Sequence, residues 1–204
     1  MKLNHVINMH KGTTMFFVIY LMIVFDNFSS ASWIYLALHG TYGILWIIKD
    51  YIYPDKSFQN RISFPIGIIT FLFLSLYWIA PLLLISSNIE PPGSIISLSI
   101  SLNIIGVFLH FVSDAQKYYT LLLKKELIKD GFFQKSRNTN YFGEILIYLS
   151  FAILSMNWIP FLILGLIIGL IFLPRIISKD KSLARYKDFK NYQNSSGLIL
   201  PKIF

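Results

Sequence analysis

Six apolar runs, at residues 13–28, 31–48, 64–87, 94–113, 141–156 and 158–174, dominate the chain. Several approach or pass the roughly 18 to 20 apolar residues that cross a bilayer as a helix. Their continuity argues against a membrane β-barrel, whose strands are about ten residues long and alternate in polarity. Only 14% of residues are charged, against about 25% in a soluble domain. The expected fold is therefore all-α: one polytopic membrane domain over residues 1–204, with about six transmembrane helices and a C-terminal cytoplasmic tail, 175–204.

The charge pattern sets the expected orientation. All 18 lysines and arginines fall before the first run, between the second and third, between the fourth and fifth, or after the sixth. The turns near Asp26, Glu90 and Asn157 hold none. The positive-inside rule then places both termini in the cytoplasm. A net charge of +8 would suggest nucleic acid in a soluble protein. Here it follows the membrane topology, so the partners expected are the membrane and a lipid, with no nucleic acid. Lys2, Lys11, the run MFFVIYLMIVF and the patch SSAS imitate a signal peptide, but the segment reads as a retained first span. The absence of cysteine excludes disulfides and thiolate metal sites, and no metal is expected.

Between the runs, YPDKSFQNR (53–61), NIEPPGS (88–94) and LKKELIKDGFFQKSRN (123–138) read as connections, the last broken at Gly131. The sequon at Asn27 lies in so short a turn that its use is not expected. Residues 177–193 read as an amphipathic interfacial helix, because Leu183, Tyr186, Phe189 and Tyr192 recur every three residues. Gly165 and Gly169 form a small-xxx-small pair, read as close helix packing.

Ionisable groups at membrane depth point to function, since each costs several kcal/mol unless paired or wetted. Glu144 stands one turn beyond Asn140, and Arg137 stands just before a helix start that attracts anions. The reading is an anion seat followed by a polar pair facing inward, with a packing clamp as the alternative. Asp114, Lys117 and Tyr118 share one face below the fourth run. His39, Tyr42 and Trp46 form a polar-aromatic stripe in the second, and His110 sits in the fourth. There is no phosphate-loop, nucleophile-elbow or dinucleotide fingerprint, so any nucleotide must be held inside a helical bundle.

RNTNYFGE (137–144) resembles the R-[HN]-x-N-Y-x-G-[DE] signature of membrane sterol reductases, and the steroid 5α-reductases carry a cognate segment. SDAQKYYTL (113–121) and the aromatic-basic tail ending LILPKIF resemble their neighbouring segments. INMHKGTT and YLALHGTYGILWIIKDYIYPDKSF are similar to small bacterial DUF1295-like membrane proteins grouped with the 5α-reductase C-terminal domain. The resemblance implies NADPH bound among the last helices and a flat, sterol-like lipid substrate whose carbon–carbon double bond is reduced. Carried over by position, Asp114, Lys117, Tyr118, Arg137, Asn140, Tyr141, Glu144, Arg175 and Tyr192 are the implied cofactor-binding residues.

Two positions depart from the pattern. Leu121 stands where sterol reductases have an arginine, leaving phosphate contact to Lys124 or Lys125. The early spans also lack the acid with which 5α-reductases polarise a ketone, leaving Tyr42 and His39, with Tyr77, as proton donors or substrate-polarising groups. Two alternatives stay open. One is an S-adenosylmethionine-dependent relative of isoprenylcysteine carboxyl methyltransferases, whose turn lacks the acid at Glu144. The other is a non-catalytic lipid-binding protein.

Overall fold

Nine α-helices form along residues 1–202, which the computed structural model describes, and no strand forms among those residues. They are α1 (Leu3–Val24), α2 (Ser30–Ile52), α3 (Phe64–Leu74), α4 (Ile79–Ser86), α5 (Gly93–Leu123), α6 (Thr139–Leu154), α7 (Trp158–Ile167), α8 (Leu173–Leu183) and α9 (Phe189–Ser195). A 3-10 turn, Ser75–Trp78, joins α3 to α4, and a π turn, Ile168–Phe172, joins α7 to α8. Five helical runs are long and apolar enough to cross a membrane: Leu3–Val24, Ser30–Ile52, Phe64–Ser86, Gly93–Leu123 and Trp158–Leu183. The other expected span, α6, has 16 residues, a rise of about 24 Å. The chain has the architecture of an all-α polytopic membrane protein.

The first helix differs from expectation in a way that matters. It begins at Leu3 rather than near residue 13, because its start is anchored by the segment that follows α2. Leu3 N donates to Asn60 O at 3.0 Å and Ile62 N donates to Met1 O at 2.9 Å. These bonds satisfy one amide that a helix start leaves open. Lys11, expected ahead of the first span, is therefore a mid-helix residue, and it is buried. Lys49 likewise lies in the last turn of α2, buried, instead of in the loop beyond it.

The chain forms two compact units. The first comprises Met1–Asn103 and Tyr148–Ile163. Within it α1 and α2 approach closely at Gly43, where a Cβ would collide with the backbone carbonyl of Lys11. Val18, Leu21, Met22, Tyr35, Leu84, Phe151 and Leu154 form much of its core. Three turns, at Asp26, Asn88 and Met156, each place a non-glycine residue in the left-handed region. Asn27 is buried and its amide donates to Ile85 O at 2.9 Å. That bond ties the first turn to α4 and closes the sequon to modification.

The second unit comprises Ile104–Ile147 and Leu164–Phe204. Here α5 and α6 meet at Gly106 and Gly143. A Cβ on Gly106 would lie 2.7 Å from Gly143 O, and one on Gly143 2.7 Å from Gly106 O. The glycine of the NYFGE segment is thus a contact point between helix backbones. Gly131 breaks the 124–138 connection with a φ of +54°. Its pocket is closed by Gln116, which donates to Asp130 O and accepts from Phe132 N.

Two expectations for this unit are corrected. Residues 177–193 are not one interfacial helix: α8 ends at Leu183 and α9 starts at Phe189. Phe189 and Tyr192 are buried within the protein, because the neighbouring polar turn offers backbone carbonyls to the tail. Gly165 and Gly169 do not mark a close helix contact, since a Cβ on either would meet nothing within 4 Å.

Candidate functional site

In the second unit the segment Ser136–Asn140 is a buried polar hub. Ser136 Oγ donates to Ile199 O at 2.7 Å, and Asn138 Nδ2 to Leu198 O at 2.8 Å. Thr139 Oγ1 donates to Phe132 O. Lys179 Nζ donates to Arg137 O at 2.7 Å and Asn138 Oδ1 at 2.9 Å. Arg137 is itself buried. Its Nε donates to Asp180 Oδ2 at 3.0 Å, and its Nη1 donates to Gln193 O and Ser196 O at 3.2 and 2.6 Å. A guanidinium offers five N–H donors in a planar fork, and most of this one holds the C-terminal tail. The structure therefore gives the proposed anion seat a structural task.

Asn140 faces the other way. Its Nδ2 donates to Asp114 Oδ1 at 3.0 Å, and its backbone carbonyl lies 3.0 Å from His110 Nδ1. Asn140 Oδ1 is buried and has no hydrogen-bond partner. An orphaned amide oxygen at depth costs about 1–3 kcal/mol, so this atom marks a place for a donor. A carboxamide N–H₂ or a ribose hydroxyl would satisfy it. Glu144, one turn along α6, is half-buried, and its carboxylate makes no hydrogen bond or ion pair among the described residues. A packing clamp would need a partner there. The Asp114 and Asn140 side chains are thus brought together, whereas those of Asn140 and Glu144 are not bonded to each other.

Of the remaining sequence-derived positions of this unit, Lys117 acts electrostatically on Lys179, as Asp114 and Arg137 do. Lys117 and Tyr118 are half-buried on α5, and Tyr118 packs edge-on against Tyr119. Tyr141 packs edge-on against Phe172, with ring centroids 5.1 Å apart. Arg175 is exposed. Tyr192 donates its hydroxyl to Phe133 O at 2.6 Å.

That last bond carries a pH dependence. Burial pushes the Tyr192 phenol above the usual tyrosine range, the Asp180 and Asp130 carboxylates add to it, and the Arg137 guanidinium opposes it. A raised folded-state value means that the contribution to stability is complete below the unfolded value, about 10. It is lost as pH climbs toward the folded one. Wild-type protein should therefore lose melting temperature above about pH 10. Tyr192→Phe should start lower by about 1 kcal/mol, the worth of one hydrogen bond, and show a flatter alkaline limb. Parallel limbs would show that tail docking does not depend on the phenol.

In the first unit a second cluster surrounds Lys11. Its Nζ donates to Tyr148 Oη at 2.5 Å and to Tyr42 Oη at 3.3 Å. It also lies 4.4 Å from the ring centroid of Tyr42, 5.1 Å from those of Trp46 and Tyr148, and 5.6 Å from that of Tyr77. Aromatic faces attract a cation, more strongly where water is excluded, which explains how an ammonium persists at this depth. Tyr77 stacks on Tyr148 with centroids 3.7 Å apart.

Two histidines complete the surroundings. His39 Nδ1 pairs with Tyr35 Oη at 3.1 Å, its ring stacks on Phe151, and its Nε2 is buried without a partner. His10 stacks on Trp78 and leaves both ring nitrogens buried and unpartnered. Of the sequence-derived donors, the structure unites Tyr42 and Tyr77 around Lys11. Lys11, Tyr148 and His10 were missed. The signal available was HK at positions 10–11, ahead of the apolar run, where it reads as an ordinary flanking charge.

No curated protein matches the chain. The family described as "Protein of unknown function (DUF1295)" matches residues 53–196, a stretch that includes Tyr77, the polar hub, Tyr148 and most of the tail. The chain belongs to the DUF1295 family.

Proposed function

We propose that this protein is a membrane-embedded, NADPH-dependent reductase of a carbon–carbon double bond conjugated to a carbonyl in a sterol-like lipid. The observation that carries this reading is the buried Lys11 ammonium donating to two phenol oxygens, Tyr42 and Tyr148. Each phenol accepts from Lys11 and so directs its own O–H elsewhere. The ammonium also stabilises the negative charge that grows on a phenol oxygen as its proton leaves. Such a phenol can polarise a carbonyl and deliver the proton that completes a conjugate reduction. The unpartnered nitrogens of His10 and His39 support a ligand with a polar end.

NADPH, when bound, supplies the hydride. Asn140 Oδ1 and Glu144 accept from its amide or ribose groups, Asp114 fixes the Asn140 amide, and Lys117 with Lys124 or Lys125 supplies positive charge for its phosphates. The overall change is one hydride and one proton added across the double bond, with NADP⁺ released. In this reading the chain crosses the membrane six times with both termini cytoplasmic, which keeps the nucleotide residues on the side where NADPH is found.

The deciding experiment is a thermal-shift comparison on the detergent-purified protein. NADPH is expected to raise the melting temperature, as any ligand selective for the native state does, and S-adenosylmethionine is not. A panel of enone lipids should then include one that supports NADPH oxidation. Stabilisation by S-adenosylmethionine alone would overturn the reductase reading in favour of methyl transfer. Stabilisation by neither would leave a lipid-binding protein without this cofactor.

A further inference from the structure

A groove of about 900 Å³ opens in the second unit between α8, the 184–188 turn and α9. Five of its lining residues are cations: Arg137, Lys181, Arg185, Lys187 and Lys190. Asp180 is the one acid, and Arg137 Nε already engages it at 3.0 Å. It therefore does little to neutralise the remaining four. Lys181, Lys187 and Lys190 are exposed at the rim, and Arg185 is held over the Tyr186 ring. Of the sequence-derived nucleotide residues, Arg137 lines this groove, where it is engaged by Asp180 and the tail; Asp114, Lys117, Asn140, Tyr141 and Glu144 do not line it.

The lining also has apolar members, Ile177, Phe189 and Leu198. Ile177 is itself exposed, as are Leu166 and Leu170 on the same continuous run, Trp158–Leu183. That run is one of the five able to cross a membrane. An apolar helical run of membrane length thus reaches a basic groove. Four like charges gathered in one concavity repel one another, and an anion relieves that repulsion. The same juxtaposition matches an amphiphile whose acyl chain follows the helix and whose phosphate enters the groove.

We infer that this groove is a binding site for the phosphate headgroup of an anionic membrane lipid, separate from the site proposed for the nucleotide. The chemistry recognised is a phosphate mono- or diester anion. The exposed Leu166, Leu170 and Ile177 on a run of membrane length assign its source to the bilayer, not to the aqueous phase.

The test uses the full chain in neutral-lipid nanodiscs doped with phosphatidylglycerol, with retained lipid counted by native mass spectrometry. The wild type should retain phosphatidylglycerol over phosphatidylcholine. The double variant Lys187→Glu/Lys190→Glu should bind it at least tenfold more weakly. Both lysines are exposed, so the fold should survive, and an unchanged melting temperature in neutral lipid checks this. Should the charge reversal perturb the turn, Lys187→Gln/Lys190→Gln is expected to weaken retention in the same direction. A control, Lys2→Glu/Lys56→Glu, changes exposed cations outside the groove and should have little effect. Equal losses in control and groove variants would reduce the effect to general surface charge and overturn the site. Displacement by millimolar inorganic phosphate or glycerol phosphate would overturn the lipid source. Displacement by NADPH would assign the groove to the nucleotide instead. A groove variant that binds NADPH normally but loses phosphatidylglycerol separates this inference from the reductase reading.

Discussion

Lys11→Met is expected to leave a folded protein that no longer reduces its substrate at a useful rate. The two halves of that result have different causes. Replacing a buried charge by an apolar side chain of similar length removes the desolvation cost of the ion, which offsets the loss of two hydrogen bonds to phenol oxygens, worth about 1 kcal/mol each. The melting temperature should therefore hold. The reaction should slow at least a hundredfold, about 2.7 kcal/mol of barrier, because Tyr42 and Tyr148 lose the ammonium that stabilises their developing charge. Tyr42→Phe and Tyr148→Phe identify which phenol donates: the donor variant should match Lys11→Met, and the other should be milder. A solvent isotope effect that grows in Lys11→Met would place proton delivery on the slow step. A Lys11→Met protein that is stable and fully active would return Lys11 to a packing role within its aromatic cage. One that unfolds would show that the cage itself holds α1 against α2.

How much of this was legible in the sequence depends on which residues are asked about. The helical spans were readable because membrane length and apolar continuity are properties of contiguous residues. The register of α1 was not, because its start depends on a long-range pairing with residues 60–62. That displacement of ten residues changes Lys11 from a topology signal into the centre of a buried cluster. The polar hub was legible as a place but not as a task. RNTN reads as a solvated, anion-attracting helix start, yet its side chains are satisfied by carbonyls about 60 residues further on. No local pattern announces such a partner. The aromatic period in 177–193 correctly marked buried positions at Phe189 and Tyr192. It gave the wrong partner, because period alone cannot distinguish a membrane surface from protein.

The hub leads to the other large expected effect. Arg137→Ala should release the C-terminal tail even in the absence of any nucleotide. The substitution deletes the donors to Asp180, Gln193 and Ser196 and leaves the Asp180 carboxylate largely buried without its cation. Breaking a buried pair from one side costs about 3–5 kcal/mol. The loss should appear locally in hydrogen exchange. Three backbone bonds fasten the tail: Arg137 N to Gly197 O at 2.9 Å, Gly197 N to Lys135 O at 2.9 Å and Lys202 N to Lys135 O at 2.8 Å. The Gly197 and Lys202 amides should exchange far faster in the variant, while amides in α1 and α2 keep their protection. Arg137→Lys sharpens the distinction from an anion seat. A lysine preserves the charge that a phosphate would sense but cannot span three acceptors as the planar fork does. If Arg137 acts mainly on the tail, Arg137→Lys should resemble the alanine variant in exchange and stability. If it acts mainly on a bound anion, Arg137→Lys should retain nucleotide affinity with the tail still docked, and the stapling role assigned to this guanidinium would be overturned.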